Sequence, residues 1–444
     1  MATHAKMGGA LKLLKKESVE FLRLQFTDLL GSIKDVEVPQ SQFEPALGGG
    51  VIFDGSSLQG FARGAESDLL LTPDLDTLRV FEEVPGGPKM ARVVCDIQKL
   101  DHTPFEVCPR SRLKKVLEEA SEMGFQFMVA PEIEFFLFQR NPDDEPTTQT
   151  RDTGSYFDLA ALDQGDQARR GIIKTLSTLG IEAEAVHHEI SPGQHEVDLP
   201  FCEAVQTADN IGTFRVIARR VALSHGLHAT FMPKPIFGKE GSGMHLHLYL
   251  KRGEENAFAV SEGQTGLSQV GLYFVGGLLR HARGYTLVTN PLINSYKRLI
   301  AGFEAPTHSV WSEQNVNPLV RVPPGHTTSA RCEVRSPDPA CNPYLALAVI
   351  LKAGLVGIKN QIDPGPPVNK DIYGMSARER GRLSVDPLPI DLHEATRAFQ
   401  KDKLLREALG KEIYRHLLEA HNSLWIEYTK QVHPWELEKY LATY

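Results

Sequence analysis

Apolar and polar positions alternate with a period of two over much of the first hundred or so residues. Leu22, Leu24 and Phe26 alternate with Arg23, Gln25 and Thr27, the pattern of a half-buried strand. Gly31 offers a turn, and Ile33–Val38 predicts a second strand that ends at Pro39. Leu69–Leu71, Leu78–Glu82 and Ala91–Ile97 predict three more, and Leu11–Ser18 a short amphipathic helix before them all. Residues 1–105 therefore read as a small strand-rich domain, with Thr103-Pro104 and Cys108-Pro109 at its border. Beyond it the apolar period lengthens to that of a helix. Ser111–Met123, Gln164–Leu179, Ala204–Ser224, Leu267–Ala282, Pro343–Lys359, Leu392–Leu409 and Glu412–Lys430 are predicted helices, the first two stopped by Gly124 and Gly180. Phe125–Phe138, Gly226–Met232 and Met244–Leu250 are predicted strands. Strands and helices interleave without strict βαβ alternation, which makes residues 106–444 an α+β catalytic domain.

Several of these strands carry charge where a core would be expected. Glu132 and Glu134 stand at i and i+2 in an apolar run, so a strand puts both on one face. An unpaired buried carboxylate is costly, so a surface salt bridge is the weaker explanation for two of them together. Glu189 and Glu196 flank the turn Ser191-Pro192-Gly193, while His187 and His188 read equally well as structural histidines. His245 and His247, again at i and i+2, follow Gly241-Ser242-Gly243, a turn that permits close backbone approach. They fit two metal ligands, or one ligand and one nucleotide contact. Arg331-Cys332-Glu333-Val334-Arg335 alternates strictly, with Glu333 between two guanidinium groups suited to phosphate. Arg298 and Arg321 add further donors. Converging carboxylates with few imidazoles suit magnesium or manganese better than zinc, and point to metal-assisted chemistry on a phosphate.

Composition narrows the picture. At 444 residues two domains are expected, and a net charge of -8 without a basic run speaks against nucleic acid as a partner. The five cysteines show no CxxC spacing and read as reduced thiols of a cytoplasmic protein. Met1–Ala10 has no apolar signal region, and the apolar runs near Val270–Leu279 and Tyr344–Leu351 are too short for a membrane span. Neither a GxxxxGK[ST] nor a GxGxxG motif occurs, so a nucleotide is held by another device. Phe53-Asp54-Gly55-Ser56-Ser57 reads by itself as a type I turn.

Taken together these motifs closely resemble type I glutamine synthetases, the short form of Gram-positive bacteria. The likeness runs from Leu24-Gln25-Phe26-Thr27-Asp28 to Val432-His433-Pro434-Trp435-Glu436. It includes Gly193-Gln194-His195-Glu196, Met232-Pro233-Lys234-Pro235, Asn294-Ser295-Tyr296-Lys297-Arg298 and Asn342-Pro343-Tyr344-Leu345. The resemblance implies a β-grasp N-terminal domain and a catalytic domain built on a curved antiparallel sheet flanked by helices. It implies a homo-dodecamer of two stacked hexamers with sites at subunit interfaces. The implied reaction joins ammonium to glutamate at the expense of ATP, through γ-glutamyl phosphate, with two or more Mg2+ or Mn2+ per site. A nitrogen-responsive transcription regulator is an implied partner.

Carried over by motif, Glu134, Glu189 and Glu196 resemble the ligands of a first metal, and Glu132, His245 and Glu333 those of a second. Arg298 resembles the group that grips the substrate α-carboxylate, and Gly241 lies beside that site. Arg335 resembles the arginine near the γ-carboxyl, and Arg321 a phosphate binder. His247 and Arg331 fall on the nucleotide side. Asp54, from a neighbouring subunit, resembles the acid that takes the ammonium proton, with Ser57, Tyr156 and Glu189 completing the cation site. Glu304 resembles the acid of a closing flap.

The chain departs from the family pattern in three places. Val316 stands where an arginine is usual, Glu240 where asparagine is usual, and Pro323–Ser329, with His326, differs on the nucleotide side. Alternatives are therefore a γ-glutamyl ligase that takes an organic amine, or a catalytically weak regulatory homologue. Tyr373 falls near the tyrosine that is adenylylated in the longer class, in different surroundings, and is expected to be unmodified.

Overall fold

A computed structural model describes residues 2–58, 68–82, 88–159, 161–260, 266–314, 317–323, 329–372, 374–383 and 385–444. Val316, His326 and Tyr373 lie outside the described residues, as does the side chain of Ser57. The N-terminal strands form one five-stranded sheet. They are β1 (Phe21–Thr27), β2 (Ile33–Pro39), β3 (Val51–Asp54), β4 (Asp68–Glu82) and β5 (Lys89–Lys99), in the order β2-β1-β5-β4-β3. β1 and β5 run parallel at its centre and the outer pairs are antiparallel. The alternation read in β1 is real: Leu22, Leu24 and Phe26 are buried and Arg23 and Gln25 are not.

Two expectations here need correction. Leu69–Leu71 and Leu78–Glu82 belong to one strand, β4, because an irregularity in its pairing with β5 between Asp74 and Arg79 lets it bend without ending. The helix expected at Leu11–Ser18 begins at Ala2.

Among the described residues the second sheet has ten strands. Its main path is β14 (Trp311–Ser312), β15 (Val320–Arg321), β16 (Cys332–Val334), β11 (Met244–Arg252), β6 (Gln126–Gln139), β8 (Gln194–Asp198) and β7 (Ala185–His188). Short strands β9 (Cys202–Glu203) and β10 (Leu227–Thr230) add to β6, and β12 (Glu255–Asn256) adds to β11. A separate pair joins β13 (His308–Ser309) to β17 (Asp386–Pro387).

The two faces of this sheet differ chemically. Ile133, Phe135, Val197, Met244, Leu246, Leu248, Cys332 and Val334 are buried toward the core. Each such aliphatic side chain contributes roughly 1.5–3 kcal/mol on burial. Helices Pro109–Glu122 and Ala204–Ser224 pack against β6, and Pro343–Lys359 packs on both and on Gln269–Thr289. The predicted helix Leu392–Leu409 is two, because the Asp402 carboxylate accepts from Leu404 N at 3.1 Å and thereby starts the second, Lys403–Leu409. All five cysteines are free.

Candidate active site

Strand register assembles the site. His245 on β11 lies opposite Glu132 on β6, and His247 lies opposite Glu333 on β16. Glu134 pairs with Glu196 and Glu132 with Asp198 on β8; Glu196 pairs with His187 on β7, and Arg321 with Glu333. Directly opposed residues share a face, so one surface of the sheet carries a row of carboxylates and imidazoles while its reverse is apolar.

The row forms the wall of a cleft of about 540 Å³. Of the residues expected from the sequence, Glu132, Glu134, Tyr156, Glu189, Glu196, Gly241, His245, Arg298, Glu304, Arg321 and Arg335 line it. Glu333, His247 and Arg331 lie on the same sheet face beside the lining residues. Glu333 is fully buried and accepts hydrogen bonds from both Arg321 and Arg335. Arg331 Nε donates to His247 Nδ1 at 3.1 Å, which assigns the His247 proton to Nε2, 2.6 Å from Glu132 Oε1. Asp54 is not on this wall. Asp54 is exposed on the N-terminal domain and its Oδ1 accepts from Ser56 N at 2.8 Å, starting the 3-10 turn Gly55–Ser57 in place of the expected type I turn.

Glycine permits the closest approaches. A Cβ on Gly243 would meet Arg298 Nη2 at 2.4 Å and His245 Nε2 at 2.9 Å, so only hydrogen fits between the guanidinium and the imidazole. Gly243 N also donates to Glu134 Oε2 at 2.9 Å, which Gln194 Nε2 joins at 3.0 Å. Arg298, buried beneath, donates to the carbonyls of Ser336 at 2.8 Å and Arg335 at 3.0 Å.

The electrostatics divide the row in two. On one side burial would raise the Glu132 carboxyl, but hydrogen bonds with His245 and His247 outweigh it and hold the group well below its ordinary range. Burial opposes ionisation of Glu333 too, and Arg335, His245 and His247 prevail. On the other side burial pushes Glu189 up to about 9, with Glu134 and Glu196 adding repulsion. Burial raises Glu196 too, with Glu134, Asp198 and Glu132 adding repulsion, and Asp198 is pushed up to about 6 by burial and by Glu132.

Such a pattern fits divalent cations. Donor atoms of Glu132, His247 and Glu333 lie within 4.8 Å of one another, as do those of His187, Glu196 and Asp198. His245 Nδ1 is 3.2 Å from Glu132 and 3.6 Å from Glu333, while its buried Nε2 has no hydrogen-bond partner among the described residues. A cation would relieve both the orphaned nitrogen and the carboxylate repulsion.

Sequence reasoning missed Asp198, whose signal lay in the alternation Glu196-Val197-Asp198, and left His187 undecided although it faces the row, 3.1 Å from Glu196 Oε1. It also gave Gln194 no role. The departure Glu240 lines the cleft, and its Oε2 accepts from Glu304 N at 3.2 Å.

The fold and this cleft define a ligase of the glutamine synthetase type. Residues 18–100 match the family model described as "Glutamine synthetase, beta-Grasp domain", and residues 106–440 that described as "Glutamine synthetase, catalytic domain". The chain belongs to the glutamine synthetase family. It is 51% identical to the glutamine synthetase of Thermus thermophilus over 98% of both chains. It is 48% identical to that of Staphylococcus aureus, over 98% of this chain and 97% of the relative. Among solved structures, "GmaS/ADP complex-Conformation 1" superposes with a TM-score of 0.88 at 33% identity, covering 97% of this chain and 99% of that one. "Apo GmaS without ligand" superposes with a TM-score of 0.86.

Proposed function

We propose that this chain ligates ammonium to the γ-carboxyl of L-glutamate, consuming ATP through a γ-glutamyl phosphate, as its relatives' names suggest. The observation that carries the reading is the alignment of Glu132, Glu134, Glu196, His245 and Glu333 on one sheet face, with Arg321 and Arg335 beside them. Glu134, Glu189 and Glu196 would hold one Mg2+ or Mn2+, and Glu132, His245 and Glu333 a second, with His187, His247 and Asp198 as neighbours. Bound there, the cations supply charge neutralisation for the phosphates of ATP.

The chain's own groups do the rest. Arg321 and Arg335 present guanidinium donors to the transferred phosphoryl and the γ-carboxyl, and Arg331 and His247 face the nucleotide. Arg298 and Gly241 shape the pocket for the amino-acid head. Tyr156 and Glu189 provide the acidic aromatic corner that suits a small cation. Asp54 and Ser57 of a neighbouring subunit complete it, and the Asp54 carboxylate takes the proton that ammonium must lose before attack. Glu304 closes the cleft against water, which would otherwise hydrolyse the acyl phosphate.

The domain border at 105/106, a dodecamer of two hexamers, a cytoplasmic location and a transcription-regulator partner belong to the same reading. No helix among the described residues is long and apolar enough to cross a membrane. Phosphate release from ATP with glutamate plus ammonium, against glutamate plus a panel of organic amines, tests the proposal. Ammonium-dependent turnover that exceeds every amine supports it. Preference for an amine, or no turnover at all, overturns it in favour of the amine ligase or the weak regulatory homologue.

A further inference from the structure

Behind the hairpin β7–β8 lies a buried polar cluster that the catalytic reading does not use. His188 pairs with His195 across the hairpin on the face opposite His187 and Glu196, and their rings meet edge to face at 5.0 Å. Asp152, Asp163, His188 and His195 are all buried, with donor atoms within 4.8 Å of one another. Arg169 threads the cluster, donating to Asp163 Oδ2 at 2.7 Å and to His195 Nδ1 at 2.9 Å. A guanidinium already balances one carboxylate, so the cluster is built as an ion-paired support and not as a further cation site.

What it supports is the turn between the strands. The ladder with β6 fixes Glu196 opposite Glu134. Glu189 lies beyond the ladder, in the turn, where its carboxylate accepts from the next residue, Ile190 N, at 2.9 Å. Glu134 and Glu196 repel it, while His187 Nδ1 stands 3.7 Å from its Oε1. The Glu189 N–H donates to Gln194 O across the turn at 2.8 Å, and a second restraint comes from behind. His188 Nδ1 donates to the Glu189 carbonyl at 2.6 Å, and His188 Nε2 stands 3.4 Å from Asp152 Oδ2. The other Asp152 oxygen accepts from Gly193 N at 2.7 Å, at the far end of the same turn. One carboxylate thus stands at both ends of the segment that presents Glu189, hydrogen-bonded at Gly193 and in close polar contact with the ring at His188. The Asp152 loop also carries Tyr156 and is tied to the hairpin by Phe157 N donating to His188 O at 3.1 Å.

We propose that the Asp152–His188 clamp, backed by His195, Arg169 and Asp163, is a positioning device that sets Glu189 against Glu196 for the divalent cation. The proposal rests on the metal-binding reading of the cleft. Groups that orient a ligand from the second layer commonly change metal affinity by roughly 10–100-fold when lost.

The test uses the full chain without substrates. Mn2+ binding is titrated by the electron paramagnetic resonance signal of the free ion, and the unfolding midpoint is measured in chelator. Asp152→Asn keeps an acceptor for Gly193 N but removes the charge; His188→Leu removes the donor to Glu189; His188→Asn restores a donor near that position. The expected result is at least about tenfold weaker Mn2+ binding in Asp152→Asn and His188→Leu, recovery in His188→Asn, and little change in the metal-free midpoint. If His188→Leu fails to fold, the comparison of wild type with Asp152→Asn decides. Mn2+ affinity within about twofold of wild type in Asp152→Asn overturns the proposal, as does weakening that only tracks a loss of folded protein. A wild-type chain that binds no Mn2+ overturns the metal reading itself, a different and separable outcome.

Discussion

Glu132 is held by both imidazoles of the next strand: His247 Nε2 at 2.6 Å and His245 Nδ1 at 3.2 Å from its two oxygens. The i and i+2 spacing on β11 makes this possible, because both rings rise on the same face as the carboxylate they flank. The contact keeps Glu132 ionised in a buried wall, ready to face a cation.

Glu333 sits deeper in the same wall, fully buried between Arg321 and Arg335. Glu333→Ala is expected to leave a folded protein and to lower ammonium-dependent phosphate release by at least about a hundredfold, the scale of losing one electrostatic element of a transition state. Near-normal turnover at saturating magnesium would sink the ligand assignment.

Arg110 joins the two sheets' domains. It donates to Asp209 at 3.0 Å, to Asp96 at 3.1 Å and to Asp74 at 2.7 Å, and Tyr344 Oη donates to Asp209 as well. Arg110→Ala would leave Asp74 and Asp209 without their guanidinium, while Asp96 keeps Lys114 Nζ at 2.5 Å. Breaking one partner of a buried ion pair costs about 3–5 kcal/mol, so urea unfolding should shift to clearly lower concentration. An unchanged midpoint would mean that the network contributes nothing net.

Glu240 adds a negative charge to the wall of a cleft proposed to take an anionic amino acid. Glu240→Asn retains an oxygen for Glu304 N and removes that charge. Relief of about 1 kcal/mol of repulsion is expected, seen as a roughly fivefold lower KM for glutamate with kcat little changed. A higher KM would show that Glu240 contacts the substrate's ammonium group instead.

His421 is buried, and its Nδ1 lies 2.7 Å from the Leu417 carbonyl. Burial pushes its pKa below the ordinary value near 6.5, against the smaller pull of backbone carbonyls. The unfolded chain then binds the proton more readily, so this group's contribution is present above about pH 6.5 and is lost as pH falls toward the folded pKa. The melting temperature of the wild type should drop more between pH 7 and pH 5 than that of His421→Gln. Parallel curves would remove His421 as the cause.

The C-terminal helix Pro434–Tyr440 ends in exposed apolar residues: Trp435 is 58% exposed, Leu437 48% and Leu441 76%. A patch of this kind calls for a partner surface, and a second copy of the chain is the proposed one. Deleting residues 433–444 should yield hexamers or smaller species by light scattering. A stable dodecamer after the deletion would refute this anchor.

The sequence by itself determined the elements and most of the row. Period-two alternation placed β1, β6 and β11, and the i and i+2 pairs at Glu132/Glu134 and His245/His247 announced a polar face within an apolar run. Those signals are local, since side-chain direction in a strand follows from position alone. Which strands stand side by side is not local. That Asp198 opposes Glu132, and that His188 and His195 meet Asp152 and Arg169, depend on pairings between segments well apart in the chain, and even the hairpin that sets His187 against Glu196 needs its register fixed by the turn. The break at Asp402 was hidden for a similar reason, because the apolar stripe continues across it and only the cap at Leu404 N, with His281 Nδ1 at 2.7 Å from the same side chain, ends the first helix. Asp54 shows the limit most clearly. Its motif is legible in the sequence, but a single chain leaves it exposed on the small domain, and the role proposed for it needs a neighbouring copy. Local pattern sets which way each side chain points; only tertiary pairing decides what it meets there.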